Sequence, residues 1–191
     1  MKIGVLDLQG AVLEHVRAVE SAGAEAVRVK KVDHLAGLDG LIVPGGESTT
    51  MGRLMEEYGF LDPLRAMGES GLPIFGTCAG MIMLARDIAG STQPRLGLMD
   101  ITVQRNGFGR QRDSFETDLD IPALGNDPFR AVFIRAPYVS AVGPGVVEVL
   151  AALGDRIVLC RQGSLLASAF HPELTDDTRL HRYFLSLVSA G

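Results

Sequence analysis

The sequence predicts an α/β protein: a single-domain three-layer sandwich whose central sheet is mostly parallel, with antiparallel additions. Three observations carry this. In the first half, short β-branched and aliphatic runs alternate with stretches of helical period, as in parallel strands joined by crossover helices. From residue 96 the texture changes to strand-like pieces separated by Gly, Pro and Asp, which fits antiparallel pairing. A chain of 191 residues, 47% hydrophobic and without repeat, low-complexity tract or linker, supplies one substantial core, so residues 1–191 are expected to form one domain.

Each element has its own signal. KIGVLDL opens as a strand, and VLEHVRAVESA follows as a helix closed by Gly23. EAVRVK and GLIVP are strands, and STTMGRLMEEY is a helix capped by Ser48. LPIFGT is the next strand, with CAGMIMLARDI expected as one helix after it. LGLMDITVQRN, DSFETDLDI, FRAVFIRA, VEVLAAL, RIVLCRQG and LLASAFH are the later strand pieces. The closing DDTRLHRYFLSLVSA is a helix: Leu180, Phe184, Leu187 and Val188 recur on one face, with acids in the first turn.

Composition narrows the partners. Lys and Arg total 18 against 23 acids, a net charge of −5 with no basic stripe, so nucleic acid is not an expected partner. MKIGVLDLQG runs straight into a strand with no signal-peptide pattern, and no apolar span approaches membrane length, which predicts a cytoplasmic protein with no membrane association. Cys78 and Cys160 lie in separate apolar segments, without the spacing of a zinc site and with no case for a disulfide. Cys160, inside IVLCRQ, reads as a buried strand residue.

Cys78 needs a different account. Gly76-Thr77-Cys78-Ala79-Gly80 has the form G-x-C-x-G at a strand-to-helix junction, the cysteine counterpart of a nucleophile elbow. Glycines flank such a turn because strand and helix approach too closely for Cβ atoms. The arrangement lifts Sγ above the strand ends, at a helix start that favours thiolate, and makes the Ala79 N–H an oxyanion donor. The pentapeptide alone fits a packed core cysteine equally well. A nucleophile needs a base.

Of four histidines, His15 and His181 lie in helical patterns beside charged residues and His34 follows an acid in a polar loop, which predicts solvated surface for all three. His171 ends the strand LLASAF and precedes Pro172 and Glu173. Proline keeps the residue before it extended, and in extended backbone positions i and i+2 project to one side. Glu173 is therefore placed to hold one ring nitrogen of His171 while the other faces the thiol. Pro44-Gly45-Gly46-Glu47-Ser48, between a strand and a helix, lets backbone N–H groups approach a ligand, though such a stretch also serves as a plain turn. It lacks the lysine and spacing of a phosphate loop.

Taken together, GVLDLQGAVLEH, LIVPGGESTTMGRL, FGTCAGMIMLA, RNGFGRQRDSFE, FIRAP and FHPELTDD, spanning residues 4 to 177, resemble the glutaminase subunits of pyridoxal 5′-phosphate synthase complexes, within the class I, triad-type glutamine amidotransferase family. The resemblance implies a class I glutamine amidotransferase-like fold, Cys78 as nucleophile, and His171 and Glu173 as its relay. It implies that Gly46, Glu47 and Ser48 hold L-glutamine, that Gly46 joins Ala79 in the oxyanion hole, and that Arg105, Ile134 and Arg135 line the substrate pocket. An arginine there suits the α-carboxylate of glutamine. Hydrolysis through a γ-glutamyl thioester needs no cofactor or metal. The implied partner is a separate synthase subunit that accepts the ammonia and activates the glutaminase, through a reorientation of the Gly45-Gly46 peptide. The chain departs from the family pattern at Asp7, where a small residue is expected, and at Gly107, where a side chain is expected. A cysteine hydrolase acting on another amide or ester, or a non-catalytic docking module, are the alternative readings.

Overall fold

Strand β1 (Lys2–Leu6) leads into helix α1 (Val12–Ser21), strand β2 (Glu25–Val29) and strand β3 (Gly40–Val43) in a computed structural model that describes residues 1–108 and 114–190. Helices α2 (Ser48–Glu57) and α3 (Leu61–Glu69) precede β4 (Ile74–Thr77), α4 (Ala79–Leu84), β5 (Ala85–Ile88) and β6 (Met99–Gln104). Strands β7 (Ser114–Leu119), β8 (Phe129–Ile134), β9 (Tyr138–Val142), β10 (Glu148–Leu153), β11 (Arg156–Gln162) and β12 (Leu165–Ser168) follow, and α5 (Arg179–Ser189) closes the chain.

The main sheet has 10 strands in the order β2-β1-β3-β4-β12-β11-β9-β6-β5, with β10 on β11. Its half from β2 to β12 is parallel, β11 and β9 bring antiparallel pairing, and β5 runs parallel to β6. β7 and β8 form a separate antiparallel ribbon. Strand β4 shows why the core needs two helical layers. Phe75 packs against Phe184 of α5, and Thr77 meets His15 of α1. The alternate residues face the other way: a Cβ on Gly76 would run into Gly80 and Leu84 of α4. Strand period 2 sends successive side chains to opposite layers, so all of Ile74, Phe75, Gly76 and Thr77 are buried.

Several expectations change. CAGMIMLARDI does not form one helix: α4 stops at Leu84, and Ala85–Ile88 pairs with β6 as a strand. All six residues of α4 are buried, so a continued helix would carry Arg86 and Asp87 into the same apolar surroundings; the strand exposes both and lets Arg86 pair with Asp100. Helix α3 and strand β9 were not expected. Pro63 disguises α3 but sits in its first turn, where a missing N–H is harmless, and β9 is hidden between Pro137 and Gly143. Glu47, not Ser48, caps α2: its carboxylate accepts from Thr49 N at 3.0 Å and Thr50 N at 2.7 Å, serving two free donors where a serine serves one. The acids expected in the first turn of α5 precede it, Asp177 accepting from Arg179 N at 3.0 Å. No helix among the described residues is long and apolar enough to cross a membrane.

Candidate active site

At the end of β4 the chain turns into α4 through Cys78, whose backbone takes φ 50° and ψ −103°. Left-handed φ is costly for a residue with a Cβ, and here it is fixed by Cys78 N–H donating to Ser168 O over 2.8 Å. The glycines on either side answer to crowding: a Cβ on Gly76 would strike Gly80 O, and one on Gly80 would strike Val43 O. The elbow expected from G-x-C-x-G is formed. Its helix is only six residues long, shorter than expected.

Register brings the other partner across. β12 pairs with β4 in parallel, Ser168 opposite Thr77, so the chain leaving β12 reaches His171 beside the cysteine. Backbone N–H of His171 donates to Val132 O over 2.8 Å, and its Nδ1 lies 2.7 Å from Glu173 Oε1, with both side chains buried. The i, i+2 geometry read from His-Pro-Glu is realised, with Pro172–Leu174 in a 3-10 turn. Cys78 Sγ donates to Ile134 O at 3.9 Å, and the thiol also stabilises the protonated ring of His171.

These groups open on a cavity of about 250 Å³. Gly46, Glu47 and Ser48 line it from the β3–α2 turn, Cys78, Ala79 and Ile82 from the elbow and α4, Arg105 and Asn106 from the end of β6, and Ile134, Arg135 and Pro137 from the end of β8, with His171 beside them. Every site residue expected from the sequence touches this space except Glu173, which stands behind His171 and borders a separate depression beside Glu14 and Arg17 of α1. Among the described residues, the non-glycine positions with positive φ are Cys78, Asn106 and Arg135, and all three are at this cavity. Strained backbone of this kind collects where surrounding structure forces it, characteristically at functional sites. The FGRQ segment runs into residues 109–113, which lie outside the described residues.

Charge follows from burial and neighbours. Burial works against a proton on His171, but contacts with Cys78 and Glu173 outweigh it and raise its pKa to about 10. Burial also opposes the charge on Glu173; His15 beside it and the hydrogen bond from His171 reverse this and hold the carboxyl below its ordinary value. Glu47, despite some desolvation, is brought down to about 2 by the Thr49 and Thr50 donors. Cys160 lies fully buried in β11 as expected, its thiol pushed up by burial to about 12.

His15 and His181 correct the expectation of surface histidines, since both are buried beneath the site; His34 is exposed as expected. Their charged sequence neighbours mislead, but His15 shares a helical face with Val12 and Val19, and His181 with Phe184 and Leu185. Gln93 and Thr49 were also missed: Arg105 Nη1 donates to Gln93 Oε1 at 3.0 Å and to Thr49 Oγ1 at 3.3 Å. Gln9 braces the glycine turn, with Nε2 donating to Glu47 O at 2.9 Å and Oε1 accepting from Glu47 N at 3.3 Å. Both departures from the family pattern are accommodated: Asp7 accepts from Arg28 Nε at 2.7 Å, and a side chain at Gly107 would overlap the Tyr138 ring. No group of three or more His, Cys, Asp or Glu among the described residues is arranged to hold a metal ion.

A protein of Pelotomaculum thermopropionicum called pyridoxal 5′-phosphate synthase subunit PdxT is 63% identical over 192 residues, covering 100% of this chain and 97% of that one. The protein of the same name in Geobacillus thermodenitrificans is 63% identical over 188 residues, covering 98% and 95%. A crystal structure described as a glutamine amidotransferase superposes with a TM-score of 0.93 at 57% identity, covering 98% of each chain. PurLQS from Thermotoga maritima shares only the fold, with a TM-score of 0.67 at 16% identity. The sequence pattern of the SNO glutamine amidotransferase family matches residues 5–190, nearly end to end, and the chain belongs to that family.

Proposed function

We propose that this chain is the glutaminase subunit of a pyridoxal 5′-phosphate synthase, acting as a single cytoplasmic glutaminase domain that hydrolyses L-glutamine and passes ammonia to a synthase subunit. The observation that carries the reading is the convergence of Cys78, His171 and the Gly46–Ser48 turn on one cavity, with Glu173 holding His171 from behind at 2.7 Å. At about 250 Å³ the cavity suits a single amino acid better than a drug-sized ligand. Arg105 and Arg135 line it together with Ile134, and their guanidinium groups suit the α-carboxylate.

The chemistry follows from these positions. Sγ of Cys78 attacks the side-chain carbonyl carbon of glutamine, and the C=O electron pair becomes an oxyanion facing the N–H of Ala79 and the backbone at Gly46. Loss of one such donor costs about 10²- to 10³-fold in rate. The proton that leaves sulfur resides on His171, whose pKa of about 10 lets it keep that proton until the amide nitrogen takes it. The C–N bond then breaks and ammonia departs, leaving a γ-glutamyl thioester. Water attacks the thioester carbon while His171 accepts its proton; the C–S bond breaks, glutamate leaves, and the proton returns to sulfur. Glu173 orients the ring throughout and stabilises its charge. Each step uses side chains and backbone alone. Docking of the synthase subunit is expected to raise turnover by reorienting the Gly45-Gly46 peptide, whose Gly45 O accepts from Ala11 N at 3.3 Å in the free chain.

A diazoketone analogue of glutamine should label Cys78 and leave Cys160 unmodified, and Cys78→Ala should abolish both labelling and ammonia release. Ammonia release should rise on adding a synthase subunit. Labelling at Cys160, or glutamine turnover by the Cys78→Ala protein, would overturn the reading.

A further inference from the structure

Behind Glu173 lies a buried polar cluster that the mechanism above does not use. His15 Nε2 stands 3.4 Å from Glu173 Oε2 and 3.0 Å from Thr77 Oγ1, and His15 Nδ1 stands 3.1 Å from His181 Nε2. His15 and His181 are 0% and 1% exposed. Two buried atoms of this cluster have no hydrogen-bond partner among the described residues, Glu173 Oε2 and His181 Nδ1.

The placement of two protons decides what the cluster does. Burial lowers the pKa of both histidines, so each ring is neutral and carries one N–H. Suppose the His15 proton sits on Nδ1. It then donates to His181 Nε2, which forces the His181 proton onto Nδ1, a buried N–H with no acceptor. At the same time His15 Nε2 accepts from the Thr77 hydroxyl and turns a lone pair towards Glu173 Oε2, 3.4 Å away, which is left without a donor. Both consequences are costly. With the proton on Nε2 of each ring, His181 donates to His15 Nδ1, and the His15 N–H lies between Thr77 Oγ1 and Glu173 Oε2. The His181 Nδ1 lone pair is left over, which costs less than an orphaned N–H, and Glu173 Oε2, though it has no aligned hydrogen bond, faces an N–H at 3.4 Å instead of a lone pair. Two independent orphans thus select the same arrangement.

We propose that His15 is a positioning residue for the hydrolysis: its Nε2–H, kept on that nitrogen by His181, anchors Glu173 Oε2 so that Oε1 faces His171. The inference rests on the Cys78-His171-Glu173 reading above. Glu173 is thereby gripped at both oxygens, and the tilt of the His171 ring is set from α1 and α5, two elements that do not touch substrate. A small misplacement of a catalytic group is enough to cost about 100-fold in rate.

Imidazole nitrogen NMR on the intact wild-type chain should find both His15 and His181 as Nε2–H tautomers; an Nδ1–H tautomer at His15 overturns the proposal, whatever any variant does. In glutamine hydrolysis by the chain with its synthase subunit, His15→Leu should lower kcat about 10- to 100-fold with KM within about twofold. His15→Gln, which restores an N–H, should recover a substantial part of that loss at a melting temperature no higher than that of His15→Leu. Activity that follows melting temperature rather than the donor overturns the proposal. Glu173→Gln separates the two levels: if it is impaired while His15→Leu keeps full kcat, only this inference fails, and if Glu173→Gln is itself fully active, the triad reading fails and takes this one with it.

Discussion

Arg105 Nη1 donates to Gln93 Oε1 over 3.0 Å, joining a guanidinium at the cavity rim to an amide that is only 8% exposed. A long cationic side chain loses much freedom on binding a carboxylate, and an anchor that already holds it removes part of that cost. Gln93→Leu should therefore raise KM for glutamine about tenfold, about 1.4 kcal/mol, with kcat nearly unchanged. Steady-state kinetics decides this; an unaltered KM would mean that Arg105 does not depend on Gln93 for its pose.

Gly45 allows the imidazole its position. A Cβ there would overlap His171 Cε1, stand 3.0 Å from Nδ1 and lie 3.4 Å from Cys78 Cβ. Gly45→Ala should fold, since the backbone there is not in the left-handed region, yet lose about 100-fold or more in kcat as the ring is displaced. A variant with wild-type kcat would show that the ring has slack the distances deny.

Glu47 caps α2 through two backbone N–H groups and the Thr50 hydroxyl, the last at 2.8 Å. Glu47→Ala should destabilise the protein by about 1 kcal/mol, in the usual range for a lost cap. Because its folded pKa is lowered to about 2 from 4.5, its contribution is complete above pH 4.5 and disappears as pH falls towards 2. Denaturant titrations of both proteins at pH 7 and at pH 3 should find the gap narrower at the lower pH.

The buried histidines set an acid limit. His181 has a folded pKa of about 3 against 6.5 unfolded, and His15 is lowered too, so the unfolded chain binds the extra protons and stability falls as pH drops below 6.5. Each group adds a slope approaching about 1.4 kcal/mol per pH unit in that window. His171 acts in the opposite sense: raised to about 10, its contribution is complete below pH 6.5 and is lost as pH climbs through 10. Melting temperature against pH for the wild type and His181→Phe should show a shallower acid limb in the variant; parallel curves would exclude His181 as a source.

What was legible in the sequence was local. The short strand run LPIFGT, the glycines around Cys78 and the i, i+2 spacing of His171 and Glu173 each specify geometry over a few residues, and each is present. What escaped depends on partners distant in the chain. His15 is buried because α1 meets α5 and the end of β4, and no window around Glu14 and Arg17 records that meeting. Gln93 gains its importance from Arg105, and the change of α4 into β5 from the free edge of β6. Charged neighbours led the reading of both histidines towards solvent because a helix carries a wet face and a dry one within the same few residues.

The parallel pairing of β4 with β12 also orders events in time. During synthesis the thiol-bearing turn leaves the ribosome long before the segment that must lie alongside it, so a nascent chain carries sulfur, glycine turn and cap without His171. On the proposed mechanism a half-made subunit lacks its base, and activity awaits the strand that slots in beside its early neighbour. On the same mechanism, cleavage that removes the chain from His171 onward would silence the protein and leave its cysteine chemically intact.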